Sequence, residues 1–228
     1  MSELIDTTEM YLKTVFELEE EGVPALRARI VERLGQSGPT VSETVARLER
    51  DGLLVMPDGR HIEFTAQGRM RAVDVMRRHR ISECFLMDVL KMPLAKIHAE
   101  ACRWEHAISD EVAARMAETV GSPATDPFGN PIPVQASSER ESASVEELGL
   151  ISLAEVKIPV GGIETVRVVR FAEMLQLDEE QIALFDAAGL LPGAEVIVRE
   201  ISGDDVFVDV GTEKLAVPTA VAARIFVK

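Results

Sequence analysis

The stretch H-A-E-A-C-R-W-E-H, from His98 to His106, concentrates side chains that bind transition metals. Residues three and four apart share one face of a helix, so His98, Cys102 and His106 project in nearly one direction, with Glu105 beside them. Two imidazoles, a thiolate and a carboxylate suit Fe(II), Co(II), Ni(II) or Zn(II) better than Ca(II) or Mg(II), which prefer oxygen ligands. The spacing therefore predicts a metal site on a helix.

The plainer interpretation is a surface helix with a half-buried cysteine and two ordinary histidines, because free cysteine usually packs as a small hydrophobic residue. The chain has only four histidines and two cysteines, and their concentration in this stretch favours a metal site. His79 and Glu83, one helical turn apart, form a second possible pair of ligands. Glu173 and Gln176 have a similar spacing, although a solvated surface pair is the default interpretation for them.

The composition indicates a globular protein with buried cores, since 46% of the 228 residues are hydrophobic. The sequence contains no apolar run of membrane-spanning length and no signal-like start, so we expect a soluble, cytoplasmic protein. Cys84 and Cys102 form no CxxC pair, and a reducing compartment would leave Cys102 free to bind metal. The net charge is −15, concentrated in the last third, so any DNA contact must be short-range and geometrically arranged.

The first part of the chain predicts three helices followed by a hairpin. Asp6 with Glu9 three residues later marks the first helix start. Residues 25–34 carry an apolar stripe, and a glycine turn then leads to a third helix that begins at Ser37. Two helices joined by a tight glycine turn are typical of a helix-turn-helix, and the turn Pro57–Gly59 between two short β-type runs adds a wing. The pattern predicts a winged helix.

The third helix exposes small polar and basic side chains of the kind that contact DNA. Hydroxyl groups and helix N-terminal N–H groups bind phosphate, arginine neutralises it, and small side chains reach base edges. The alternative is a tri-helical module used for protein contact. Glu43 fits least well, because a carboxylate can accept from cytosine but repels phosphates. The outward residues are Ser37, Thr40, Ser42, Glu43, Thr44, Arg47 and Arg50.

From Ala66 to about Thr119 the pattern is helical, with a break at Pro93 and a helix that we expect to continue to about Ile108. A new helix cap follows at Ser109. Several apolar residues in this region have too little neighbouring chain to cover them, so we predict a helical dimer interface. These residues are Phe85, Leu86, Val89, Leu90 and Trp104.

The residues after Thr119 show two different patterns, first that of a linker and then that of short strands. Ser122–Gly149 is rich in proline, serine and glutamate and predicts a linker, extended at first and then flexible. Short β-type runs then predict a small β-barrel, with a helical insert at roughly Asp178–Ala188. The runs are Ile163–Phe171, Ala194–Ile201, Val206–Val210 and Lys214–Val217.

The predicted fold is mainly α with a small β-barrel, divided into four segments. These are a winged-helix DNA-binding domain over 1–73, a helical metal-binding and dimerisation domain over 74–140, a linker over 141–150 and an SH3-like domain over 151–228.

Several multi-residue strings, in the same order, closely resemble the iron-dependent regulators of the diphtheria toxin repressor type. The resemblance is dense over residues 1–133 and weaker over the last domain, which resembles that family's SH3-like domain. The strings are Asp6–Met10, Leu26–Ile30, Gln36–Ser42, Glu100–His106 and Pro127–Pro133.

The resemblance implies a homodimeric, Fe2+-activated repressor with two metal sites per subunit, so that the ligands of the His98–His106 stretch divide between two ions. The activating site implied by matching positions comprises Met10, Cys102, Glu105 and His106. The ancillary site comprises His79, Glu83 and His98, completed by Glu173 and Gln176. The candidate DNA contacts are the outward residues of the third helix together with Thr7, Arg27, Ala28 and Pro39 from the matching strings. Glu43 departs from the glutamine expected there.

The resemblance also predicts how metal would control DNA binding. If metal captures Met10, in the first turn of the first helix, that helix is fixed relative to the segment carrying Cys102 and His106. Two recognition helices in a dimer then acquire one spacing, which suits a palindromic double-stranded operator. Co2+, Ni2+, Mn2+ or Zn2+ are expected as possible substitutes for Fe2+.

Three alternatives remain at this stage. A Mn2+-responsive regulator is disfavoured by Cys102, because thiolate selects softer ions. A metalloenzyme with a His/Glu/Cys centre is disfavoured because the sequence has no HExxH or GxSxG motif, so we expect no enzyme. A metal store is disfavoured because one or two ions per 25.0 kDa is poor capacity.

Overall fold

The computed structural model describes residues 6–134 and 143–228. Among them no helix has the length and apolar character needed to cross a bilayer. The helices are α1 (Thr7–Glu20), α2 (Arg27–Leu34), α3 (Gly38–Arg50), α4 (Ala66–Asp88), α5 (Leu94–Trp104), α6 (Asp110–Thr119), α7 (Glu173–Gln176), α8 (Glu179–Ala188) and α9 (Thr219–Ala222), with a 3-10 turn at Leu153–Glu155. The strands are β1 (Leu54–Val55), β2 (Glu63–Phe64), β3 (Ile151–Ser152), β4 (Glu164–Phe171), β5 (Glu195–Ser202), β6 (Asp205–Val210), β7 (Glu213–Pro218) and β8 (Ile225–Val227).

The predicted winged helix is confirmed. The Asp6 side chain caps α1 by accepting from two backbone N–H groups, and Ser37 caps α3 by accepting from Thr40 N. Gly35 ends α2 in the left-handed conformation, at φ +62°, and so makes the tight turn between the two helices. β1 and β2 form a two-stranded antiparallel wing. Val41, Val45 and Leu48 of α3 pack into a core shared with α1 and α2, and the opposite face of α3 is exposed to solvent.

The long helix α4 packs against α1, α5 and α6 and so joins the winged helix to the middle of the chain. Pro93 precedes α5, which confirms the predicted break. The expectation that α5 continues to about Ile108 is wrong, because the helix ends at Trp104. Arg78 Nε donates to the carbonyl of Glu105 at 2.7 Å. In a longer helix that carbonyl would instead accept a hydrogen bond from a backbone N–H four residues later. The chain then turns toward the α6 cap at Ser109.

The predicted dimer surface is partly covered within the chain. Leu86 is fully buried in the same core as the C-terminal β domain, so the expectation that it lacks cover is wrong. Phe85 and Trp104 are half-buried against the α6 side of α4. Val89 and Leu90 are 42% and 50% exposed, and they keep the apolar surface expected of an interface.

The prediction of a linker over Ser122–Gly149 is wrong for the described part of that range, and residues 135–142 lie outside the described residues. Phe128 is fully buried, and its carbonyl accepts from Phe171 N at 2.9 Å. Further along the chain, Val145 and Leu150 are also buried. Prolines and polar residues therefore form a packed loop here, because the buried Phe128 side chain and the backbone hydrogen bond from Phe171 attach it to β4.

The C-terminal β domain contains one six-stranded antiparallel sheet in the order β3-β8-β4-β5-β6-β7. It corresponds to the predicted small barrel, with α8 as the predicted helical insert. Sequence analysis missed β3, β8 and the short helices α7 and α9. Phe171 and Phe185 lie in a core that also contains Ile97 and Ala101 of α5. Leu175 of α7 lies in the same core, which fixes α7 beside α5.

We expect Gly129→Ala to lower the free energy of unfolding by about 3 kcal/mol. Gly129 has φ +84°, and a Cβ there would lie 2.1 Å from the carbonyl oxygen of Val169. Gly35→Ala is the matched control, because its φ is +62° but the added carbon meets no described residue within 4 Å apart from its chain neighbours, so it carries only a backbone cost of about 1–2 kcal/mol. Urea unfolding of both variants measures the difference, and equal losses would contradict the packed loop.

Candidate metal centre and DNA-binding surface

Four of the predicted ancillary ligands form a buried ligand cluster: His79 and Glu83 on α4, His98 on α5 and Glu173 on α7. Their ligand atoms all lie within 4.8 Å of one another. His79 Nε2 is 2.9 Å from Glu83 Oε1 and 3.2 Å from His98 Nδ1, and Glu173 Oε2 is 3.6 Å from both histidines. Two imidazoles and two carboxylates at this separation could converge on one divalent ion.

The four predicted activating residues line one cavity of about 260 Å³ between α1 and the end of α5: Met10, Cys102, Glu105 and His106. Glu105 Oε1 is 3.2 Å from His106 Nε2. The thiol of Cys102 also lies 3.6 Å from His98 Nε2, so it contacts the ligand cluster as well. The structure thus brings all four together, and it places the two predicted ligand sets side by side.

Buried oxygens without a hydrogen bond in the ancillary set support a fit to metal. Glu83 Oε2, Glu173 Oε2 and Gln176 Oε1 are buried and have no hydrogen-bond partner in the described part of the chain. Gln176 Nε2 donates to the carbonyl of Phe171 at 3.3 Å, which leaves its amide oxygen for another partner. A buried acceptor without a partner costs about 1–3 kcal/mol, and a cation would remove that cost. The donor set and these orphan atoms fit a divalent transition metal.

The charges around Cys102 favour its thiolate, the form that binds metal. Burial alone would raise the pKa of Cys102, but the neighbouring Lys13 and His98 outweigh burial and hold that pKa well below its usual range. Burial acts against ionisation of Glu105 too, yet Lys13 and His79 lower the pKa of Glu105 to about 2. Burial opposes protonation of His98, while the Cys102 thiolate raises the pKa of His98 to about 10. The cluster therefore holds protons that a metal would have to displace.

Sequence analysis missed two residues of α1 that reach this centre. Glu9 Oε2 lies 2.7 Å from His106 Nδ1, a contact of the type that orients a metal-binding imidazole. Lys13 Nζ donates to Glu105 Oε2 at 2.9 Å. The only sequence signal is that Lys13 lies three residues after Met10 and so shares its helix face.

Beside the ligand cluster, Arg80 anchors a buried ionic network. Arg80 is fully buried, and its guanidinium donates to Glu20 at 2.6 and 3.1 Å and to Glu173 Oε1 at 3.0 and 3.3 Å. Asp126 Oδ2 lies 3.6 Å from Arg80 Nε. One side chain thus links the end of α1 to the helix that carries the C-terminal metal ligand.

The candidate DNA contacts lie on the surface of the winged helix, and none of them is buried. Arg27 is half-buried and donates to the thioether of Met56 at 3.0 Å. The exposed members are Thr7, Ala28, Ser37, Pro39, Thr40, Ser42, Glu43 and Arg50, and the half-buried ones are Arg27, Thr44 and Arg47. These candidates are spread over α3 with its cap and over the first turns of α1 and α2.

A winged helix joined to a helical segment with a buried cluster of residues that could hold a metal ion is typical of metal-responsive DNA-binding proteins. Comparison with family models agrees: residues 3–62 match the iron dependent repressor N-terminal DNA binding domain, 65–134 match the iron dependent repressor metal binding and dimerisation domain, and 151–228 match the FeoA domain. The chain belongs to the iron-dependent repressor family.

Curated relatives carry the same assignment over most or all of the chain. The chain is 46% identical to the iron-dependent repressor IdeR of Mycobacterium tuberculosis over 231 residues, covering 100% of this chain and 99% of the relative. It is 48% identical to the diphtheria toxin repressor of Corynebacterium efficiens over 201 residues, covering 88% of this chain and 86% of the relative. A solved manganese-dependent transcriptional repressor in complex with manganese aligns with a TM-score of 0.78 at 25% identity, covering 97% and 99% of the two chains.

Proposed function

We propose that this protein is an Fe2+-activated, homodimeric transcriptional repressor that binds a palindromic double-stranded operator in the cytoplasm. One observation carries the proposal: Met10 on α1 and the ligands at the end of α5 line the same cavity. The metal would be held by side chains from the DNA-binding helix bundle and from the dimerisation segment at once. Metal occupancy and the position of the recognition helix are then physically coupled.

Two ligand sets per subunit are proposed. Met10, Cys102, Glu105 and His106 would hold the activating ion, and the soft thiolate and thioether favour Fe2+ over Mn2+. The buried ligand cluster, with Gln176, would hold the ancillary ion. Their adjacency is supported by the 2.6 Å separation of His79 Nδ1 and Glu105 Oε2, which joins one set to the other.

The mechanism follows from the elements on which these residues lie. The buried thiolate of Cys102 and the carboxylate of Glu105 would be compensated by the divalent positive charge of a bound metal. Met10, as a further ligand, would then join the first turn of α1 to the Cys102 segment, while Glu9 holds the imidazole of His106 through Nδ1. Moving a two-state switch from 1:99 to 99:1 requires about 5.5 kcal/mol of differential binding, within the range of a structural metal site.

The test is an anaerobic DNA-retardation titration with Fe(II), Mn(II), Co(II), Ni(II) and Zn(II), using duplexes selected from a random pool by the Fe(II)-loaded protein. We expect retardation to depend on metal, with Fe(II) effective and with two ions per subunit by metal analysis. A response to Mn(II) alone would favour the manganese-sensor alternative, which the name of the aligned manganese repressor also suggests. Turnover of a substrate without metal-dependent retardation would favour a metalloenzyme.

Glu43→Gln is expected to change the preferred DNA sequence more than the salt dependence of binding. Glu43 is exposed on α3, where a carboxylate accepts from cytosine N4 and an amide pairs with adenine. Selection from a random duplex pool measures the preference, and a salt titration of DNA affinity measures the number of phosphate contacts. A changed salt slope with the same preferred sequence would instead place Glu43 beside the phosphates.

A further inference from the structure

The side chain of Lys13 lies within the ligands proposed for the activating metal. Lys13 is 7% exposed, and its ammonium contacts three potential ligands from α4 and from the α5 end. Nζ is 2.9 Å from Glu105 Oε2, 3.0 Å from His79 Nδ1 and 3.7 Å from Cys102 Sγ. An internal cation therefore already contacts the acceptor atoms that a metal would use.

These acceptors cannot serve the ammonium and a metal ion together. Ligand bonds to a divalent transition metal are about 2.0–2.3 Å long, so an ion bound to Glu105 and Cys102 would fall within a few ångströms of Nζ as placed here. Two positive charges at that separation repel strongly in a buried site. Metal binding at these atoms requires Lys13 to move away.

The surrounding cavity offers Lys13 a second position. Glu17 lies one turn further along α1, lines the same cavity and is itself buried. Residues four apart share a helix face, so a Lys13 side chain that turns away from Glu105 along α1 would meet the carboxyl group of Glu17. Arg33 Nη1 lies 3.7 Å from Glu17 Oε2.

We propose that Lys13 is an internal competitor of the activating metal: its ammonium compensates Glu105 and Cys102 in the metal-free protein and leaves them when metal binds. This inference rests on the proposed function. Lys13 and Met10 lie on the same face of α1. Lys13 then contacts Glu105 and Cys102 in the metal-free protein, and Met10 contacts the metal in the metal-bound protein. Lys13 therefore sets the metal concentration at which the repressor switches.

The test compares the wild-type protein with Lys13→Met in anaerobic Co(II) titrations at fixed pH, followed by the thiolate-to-cobalt charge-transfer absorption. That band reports Cys102 bound to metal, whatever the DNA response. We expect Lys13→Met to bind Co(II) about tenfold more tightly or better, because a like charge is removed from the site. We also expect its metal-free form to unfold at lower urea concentration, since the buried acids lose their counter-charge.

Three further variants test whether the positive charge of Lys13 is the cause of a change in Co(II) affinity. Lys96→Met removes an exposed lysine from α5 and should leave Co(II) affinity unchanged. Lys13→Arg keeps the positive charge and should not tighten Co(II) binding. Lys13→Gln removes the charge, keeps a hydrogen-bond donor for Glu105 and replaces Lys13→Met if that variant does not fold.

The outcomes separate the inference from the proposed function. Unchanged or weaker Co(II) binding by the two neutral variants, with a normal band in wild type, would overturn the competitor and leave the metal site standing. Equal tightening by Lys13→Arg would also overturn it, because charge would then not be the cause. Absence of the thiolate band in wild type would overturn the activating site itself and the inference with it.

Discussion

Replacing Cys102 by alanine is expected to reduce the Fe(II)-dependent gain in DNA affinity by about 100-fold or more while leaving the helical content unchanged. Loss of a partner that only orients a ligand costs about 10–100-fold in metal affinity or activity, and Cys102 is proposed as a ligand itself. Its thiol lies in the cavity with Met10 and against His98. Anaerobic DNA retardation with and without Fe(II) measures the effect, and far-UV circular dichroism checks the fold.

Cys84→Ala is the matched control for that experiment. Cys84 is the other free cysteine of the described chain, and its thiol contacts the carbonyl of Thr125 at 3.7 Å. Burial raises the pKa of Cys84 well above its usual range, so it stays a thiol that packs as a small hydrophobic residue. The control should keep its metal response, and a Cys102→Ala protein that also keeps it would refute the activating site.

Arg80→Met is expected to lower the free energy of unfolding by about 3–5 kcal/mol, because it removes one partner from a buried ionic network. The change leaves the carboxylates of Glu20 and Glu173 in the interior without their shared cation. Urea unfolding in the presence of a chelator measures the loss without a contribution from bound metal. The variant should also loosen α1 from α7, since Arg80 joins them.

Arg115→Met provides the comparison for Arg80. Arg115 pairs with Glu118 on the surface, where the two side chains are 74% and 65% exposed. An exposed pair of this kind contributes about 0–1 kcal/mol. A loss below about 1 kcal/mol for Arg80→Met as well would show that the buried network is not held together as described.

The winged helix could be predicted because its signals are local. Ser37 caps α3, and Gly35 in the left-handed conformation makes the turn before it. Pro93 also gives a local signal for the start of α5, because its missing N–H and fixed φ prevent the preceding helix from continuing through it. Such features depend on a few consecutive residues and are readable without the rest of the fold.

The errors arose where distant residues decide the structure. The end of α5 depends on Arg78 of α4, and the packed loop depends on Phe128 meeting β4. The strands β3 and β8 are very short, and they pair with each other across the whole C-terminal domain. Local periodicity contains no signal for contacts of this kind.

The candidate site shows the same division. Helical spacing predicted that His98 and Cys102 share one face of a helix. The assignment of the ligands to two ions came only from the resemblance to a family. Neither could reveal that His79 contacts Glu105 across that division, or that Lys13 lies among these ligands. A buried lysine contributes nothing recognisable to a metal motif, because its effect depends on where α1 packs.

Metal is expected to control the attachment of α1 to the Cys102 segment and thereby DNA binding. The decisive measurement is the dissociation constant of the chelated and the Fe(II)-loaded protein on one selected duplex, at one salt concentration. We expect the loaded protein to bind at least about 100-fold more tightly, which corresponds to about 2.7 kcal/mol of coupling. Equal affinities of the two forms would contradict the account.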